Sequence, residues 1–221
     1  MLSAKDGEID ASKQAMEELA VAYWKPIYVF LRGKGHSHEE AQDETQGFFE
    51  HLLSRDFFRN LQPEGGRFRS FLLVSLRHRL IDEHRKVANV QHRAEVSLEP
   101  WHEMEAVDAS TFSAGASPEE AFDRSWAEAL VERAMMVLQG RWEKRVALFA
   151  ELRYTVESPE NVAKYSDIAS RLGMTEGAVG KAAHDFRKQF GEQIRQEIRD
   201  TVAEDDDVEE ELRYLVTLLR S

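Results

Sequence analysis

The stretch Tyr165-Ser-Asp-Ile-Ala-Ser-Arg-Leu-Gly-Met-Thr-Glu-Gly-Ala-Val179 decides how this chain is read. Ser166 or Asp167 is placed to cap a short helix whose inner face is Ile168, Ala169 and Leu172. Ala169 is small where a second helix must cross closely. Gly173 supplies the left-handed turn residue, and Met174 fills the corner. Thr175 caps the next helix, and Val179 and Phe186 return to the core. This is the grammar of a helix-turn-helix, whose second helix presents its outer face to a DNA major groove. That face carries Lys181, His184, Arg187 and Lys188, with Arg171 available to phosphate from the first helix. A helical hairpin used only for packing is the plainer reading. It does not account for cap, small residue, turn glycine and valine all falling at the required offsets.

Helical periodicity continues outward on both sides, and no alternating strand segment interrupts it. Toward the C-terminus, Leu212, Leu215, Val216 and Leu219 continue the helical spacing. Toward the N-terminus, Arg141 to Tyr154 reads as one helix and Ser117-Pro118-Glu119-Glu120 as the start of another, with Ser117 as cap. Residues 95–117 break the pattern with Pro100 and a Ser/Thr/Ala/Gly cluster, as a flexible linker does. The first half holds three helical segments. Lys13 to Gly33 contains Pro26, which should kink or split it. The second opens at a Ser37/Glu40 capping box, and the third begins near Arg67 and continues past Lys86.

The chain has 221 residues, 42% hydrophobic and 32% charged, with no cysteine. A disulfide framework and thiolate metal sites are thereby excluded. The polar, acidic start and the lack of an apolar run of membrane-spanning length place the chain in the cytoplasm as an expectation. A net charge of −12 argues at first against nucleic acid. The distribution of that charge points the other way. Residues 200–211 hold eight acids and no base, whereas Arg67 to Arg93 holds seven bases against Asp82 and Glu83.

Three segments of the first half are Tyr23-Trp-Lys-Pro-Ile-Tyr-Val-Phe-Leu-Arg32, Glu39-Glu-Ala-Gln-Asp-Glu-Thr-Gln-Gly-Phe-Phe49 and Gly66-Arg-Phe-Arg-Ser-Phe-Leu-Leu-Val-Ser-Leu-Arg-His-Arg-Leu-Ile-Asp-Glu-His-Arg85. They resemble region 2 of the extracytoplasmic-function sigma factors of bacterial RNA polymerase, and the helix-turn-helix resembles region 4. The phrase Gly66 to Phe71, the Ala147-to-Tyr165 approach and the acidic tail look like a subgroup common in planctomycetes. The resemblance implies an all-α protein of two helical domains joined by a flexible linker. Residues 1–95 would form the region 2 bundle, 96–117 the linker, 118–203 the region 4 domain with its helix-turn-helix at 165–188, and 204–221 an acidic helical tail.

Site roles follow from the same resemblance. Asp43, Gln46 and Phe49 would dock on the β′ clamp of core polymerase. Arg69, Arg77, Arg79, Arg85 and Lys86 would hold the unpaired minus-10 strand, as basic side chains tracking a backbone do. Phe68 and Phe71 on that amphipathic helix are assigned to the core rather than to base stacking. Arg171, Thr175, Lys181, His184, Arg187 and Lys188 would read the minus-35 element, with the β flap held by the same domain. Two residues depart from the family pattern, Gly180 and Asp185, where basic side chains are usual. Residues 157–163 form an insertion without an assigned role.

The expected partners are core RNA polymerase, promoter DNA and an anti-sigma factor, with no membrane span, no small-molecule substrate and no cofactor. No catalytic residue is expected. His78 and Asp82 share a helix face near His84, the one pattern that suggests a metal, and it lacks a catalytic motif. Two further readings remain: a stand-alone helix-turn-helix regulator, and a degenerate sigma-like protein that binds polymerase or an anti-sigma partner. The acidic tail is read as solubilising, or as folding over a basic surface to inhibit DNA binding.

Overall fold

A computed structural model of the protein describes residues 20–53, 67–87, 116–157, 163–202 and 204–220. Among these residues the protein is all helical, and the one extended pairing is an isolated bridge between Arg67 and Val202. Residues 20–33 form α1, which runs through Pro26 unbroken, so the expected split does not occur. Proline removes one backbone donor, and burial of Tyr23, Ile27, Phe30 and Leu31 on the same helix offsets that loss. Gly35, at φ 95°, turns the chain in a conformation that side chains other than hydrogen rarely adopt.

The helix His38–Leu53 is α2. Its capping box is formed as expected: the Ser37 backbone N–H donates to Glu40 at 2.8 Å, and the Glu40 N–H donates to Ser37 Oγ at 3.2 Å. The third helix, α3, spans Phe68–Val87. The fourth, α4, spans Pro118–Arg141 behind a second complete capping box at Ser117 and Glu120. The helix expected from Arg141 starts later. Arg141 closes α4, a 3-10 turn covers Glu143–Arg145, and α5 runs Val146–Glu157. The helix-turn-helix pair is α6, Tyr165–Leu172, and α7, Glu176–Arg199, and the acidic tail folds as α8, Asp205–Arg220. The linker over 96–115 and most of the 157–163 insertion lie outside the described residues.

Two apolar clusters hold these helices. The first joins α1, α2 and α3 to the first half of α4 (Phe122, Trp126, Leu130), the end of α7 (Ile194, Ile198) and α8 (Val208, Leu215). The second joins the rest of α4 to α5, α6 and the start of α7, with Phe186 edge-on to Trp142 and Phe149. The long helices α4 and α7 thus pass through both clusters, and Phe190 touches each. A polar ladder runs alongside. Arg133 pairs with buried Glu197, Gln193 donates to Glu197 at 2.9 Å, Arg141 donates to Gln193 at 2.8 Å, and Trp142 donates to Gln189 at 2.9 Å. The tail is therefore part of the first core rather than an appendage to the second half.

Candidate nucleic-acid interface

The α6–α7 pair is built as its sequence requires. Gly173 takes φ 63°, the left-handed turn conformation, and its position reverses the chain between the helices. Thr175 Oγ1 accepts from the Ala178 N–H at 3.2 Å and caps α7. The cap of α6 differs from expectation. Lys164 holds that position, neither Ser166 nor Asp167 does, and the Asp167 N–H donates to the Lys164 carbonyl at 3.0 Å. Both residues fall within the first turn.

Along α7 the helical period separates two faces. Val179, Ala182, Ala183 and Phe186 are buried, while Lys181, His184, Arg187 and Lys188 are exposed. At 3.6 residues per turn, Gly177, Lys181, His184 and Lys188 fall in one row and Arg187 flanks it. Arg187 donates to the Tyr165 hydroxyl at 3.1 Å, and Lys188 pairs loosely with Glu192 at 3.9 Å. Arg171, expected to reach phosphate, is engaged by Glu151 of α5 through bonds of 2.9 and 2.6 Å, which hold its guanidinium above its ordinary pKa. Gly180 is half-buried beside α6, where an added methyl would lie 3.6 Å from the Tyr165 ring.

Beside this row lies an open groove of about 740 Å³ between the 3-10 turn, α5, α6 and α7. Val146, Leu148, Leu172 and Met174 supply apolar wall, Lys144, Arg145 and Lys181 supply positive charge, and Asp185 supplies a carboxylate. Lys144 and Arg145 are exposed and were not singled out from sequence. They follow Trp142 on a turn, so no helical period marks them.

The arginines of α3 are held differently. Arg69 is buried. It donates from Nε and Nη2 to Glu211 at 2.8 and 3.1 Å and from Nη1 to Asp123 at 2.6 Å, with its guanidinium 4.4 Å from the Tyr214 ring centre. Burial pulls its pKa down, but the bonds and charges of Glu211 and Asp123 more than offset this and raise it. Tyr214 donates to Asp123 at 2.7 Å, and its own pKa is pushed up to about 12, first by burial and then by that bond. Arg67 pairs with Glu210 at 2.6 Å and with Glu211 at 2.7 Å.

Arg77 is exposed and donates to Glu119 at 2.7 Å, where Lys34 also reaches at 3.3 Å. Burial raises the Glu119 pKa, and these bonds outweigh it, leaving it lowered. Arg79 lies 3.6 Å from Glu44. Arg85 and Lys86 continue α3, but their side chains lie outside the described residues. Phe68 and Phe71 are partly buried against the first core, Phe68 edge-on to Tyr23.

On α2, Asp43 is exposed and Gln46 half-buried, donating to Glu50 at 3.1 Å. Phe49 is buried and stacked on Trp24 at 5.8 Å, so it anchors the helix from within. His78 and Asp82 are exposed, and no group of three or more metal-ligating side chains gathers among the described residues. No helix of the described residues is long and apolar enough to cross a membrane.

The fold and this site define an all-helical protein that carries a helix-turn-helix with a basic outer row. Compared with known proteins, the chain matches no family model, and neither a curated protein nor a solved structure matches it.

Proposed function

We propose that this chain is a sigma factor of the extracytoplasmic-function type, which directs core RNA polymerase to promoters in the bacterial cytoplasm. The observation that carries this reading is the α7 face: Lys181, His184, Arg187 and Lys188 are exposed while Val179 and Phe186 are fully buried. A helix so divided can lie in a major groove, where phosphate contacts give affinity and base edges give specificity. Lys144 and Arg145 extend the basic surface toward the flanking backbone. The sequence resemblance of the first half supplies the rest. Asp43 and Gln46 on α2 offer an acidic and amide face to the β′ clamp, and α3 offers basic residues to the unpaired minus-10 strand. Promoter opening on this scheme is differential binding of the unpaired state and needs no covalent catalysis.

The test is transcription in vitro with core polymerase, with start sites mapped in the presence and absence of the chain. Retention of the chain on core polymerase and a new set of start sites are expected. If neither occurs, the reading fails. A stand-alone regulator of duplex DNA is the second reading. The burial of Arg69 among carboxylates favours it, because that reading asks nothing of α3. Such a protein would bind duplex DNA with full affinity and ignore polymerase.

A further inference from the structure

The outer face of α3 is basic in sequence, yet the two arginines at its start are turned onto carboxylates from two distant elements. Glu211 is 1% exposed and meets both Arg67 and Arg69, Glu210 meets Arg67, and Asp123 of α4 takes the remaining edge of Arg69. Each guanidinium thus meets two or more carboxylate oxygens, the kind of anionic acceptor that phosphate oxygens would also supply. Stability alone does not call for this arrangement, since a buried ion pair is often no better than well-packed apolar side chains of the same volume. The neighbouring positions of α8, Val208 and Leu215, are such apolar residues. A backbone bond from the Phe68 N–H to the Thr201 carbonyl at 2.9 Å brings the start of α3 against the α7–α8 connection.

We propose that α8 is an internal competitor for nucleic acid: Glu210 and Glu211, with Asp123, occupy Arg67 and Arg69 in place of backbone phosphates, so that α3 is closed to a DNA single strand until α8 is displaced. The proposal rests on the sigma-type reading for the role of α3, and it adds a regulated step to that role. Closed and open states differ in partner for the same two guanidinium groups. Any binding partner that prefers the open state shifts the chain toward DNA binding by its differential affinity alone.

The test uses the full chain and a fluorescent single-stranded oligonucleotide at low salt, with no polymerase present. Glu211→Gln keeps the shape of the side chain and removes its charge, and it should tighten binding about tenfold. Glu210→Gln, at an exposed position, should tighten it by a smaller factor and guards against misfolding of the first variant. Exposed Glu204→Gln makes the same change of net charge and should leave binding as it was. The gain of Glu210→Gln should vanish when Arg67→Gln is added. Folded Glu210→Gln and Glu211→Gln variants that bind no tighter than Glu204→Gln overturn the proposal. So does a gain that survives Arg67→Gln. Because polymerase is absent, a flat result leaves the promoter-directing reading standing. A chain that opens to DNA yet never engages polymerase overturns that reading and keeps the competitor.

Discussion

Arg69 and Glu211, 142 positions apart, share two hydrogen bonds of 2.8 and 3.1 Å between the first turn of α3 and the middle of α8. Their union fastens the C-terminal helix to the N-terminal core. Removing Arg69 leaves buried Glu211 with Arg67 as its cation and takes the cation from Asp123, and truncation of a buried pair costs about 3 kcal/mol. Arg69→Ala should therefore unfold at clearly lower urea than the parent chain. The double variant Arg69→Met with Glu211→Leu should recover part of the loss, because these two charges go together while Arg67 keeps Glu210 and Asp123 keeps the Tyr214 hydroxyl. A single variant as stable as the parent would mean that water reaches this pair freely.

The two capping boxes can be tested more locally. At Ser117 the side chain accepts from the Glu120 N–H at 3.2 Å, and Glu120 accepts in return from the Ser117 N–H at 2.7 Å. Ser117→Ala should cost about 1 kcal/mol in denaturant unfolding. Glu120→Gln should cost less, since an amide oxygen still reaches the same donor.

The helix-turn-helix was legible because its signals are local: Gly173, Thr175 and Val179 lie within seven residues and each has one physical task. The capping boxes were legible for the same reason. What sequence did not reveal is where α8 packs, because Arg69, the partner of Glu211, lies 142 positions away. One signal was available. Val208, Glu211, Leu212 and Leu215 fall on a single helical stripe, and a carboxylate on an apolar stripe calls for a buried cation. Of the two readings of the acidic run, the solubilising one leaves that stripe unused, and the one that folds it over a basic surface does not name Arg67 and Arg69 as the partners. The fate of Phe49 was hidden likewise, since only its stacking on Trp24 separates an anchor from a docking residue.

Acid should loosen α8 through Glu210. Its pKa is lowered from the usual 4.5, first by the bond from Arg67, then by the Arg67 charge, with Arg213 adding to the effect. A lowered carboxylate pKa contributes stability that is present above the unfolded value and is lost as pH falls through the folded one. Thermal unfolding of the parent chain should therefore fall more steeply than that of Glu210→Gln below about pH 4.5. Parallel acid limbs for the two proteins would show that the exposed pair contributes nothing.

Gly180 offers a stabilising change. It lies inside α7, where glycine is less favourable than alanine by about 1 kcal/mol. The added methyl of Gly180→Ala would sit 3.6 Å from Tyr165, an ordinary contact. Stability should rise by about 0.5 to 1 kcal/mol with duplex binding unchanged, since the added methyl meets the Tyr165 ring and removes no basic side chain. A loss of duplex affinity in a stabilised Gly180→Ala protein would place this position at the DNA.

The exposed row itself makes the final prediction. If Lys181 and Lys188 neutralise phosphates, each releases condensed counterions on binding, and affinity falls with salt in proportion to their number. Lys181→Ala and Lys188→Ala should each weaken duplex binding across sequences and reduce the slope of log affinity against log salt by about 1. Asp185→Asn should act in the opposite direction, because it removes a carboxylate that shares the groove with Lys144, Arg145 and Lys181. His184→Ala should alter preference among sequences more than salt dependence if it reaches a base edge. A salt slope unchanged in both lysine variants, with affinity retained, would remove α7 from the DNA and leave its basic face as a solvated helix surface.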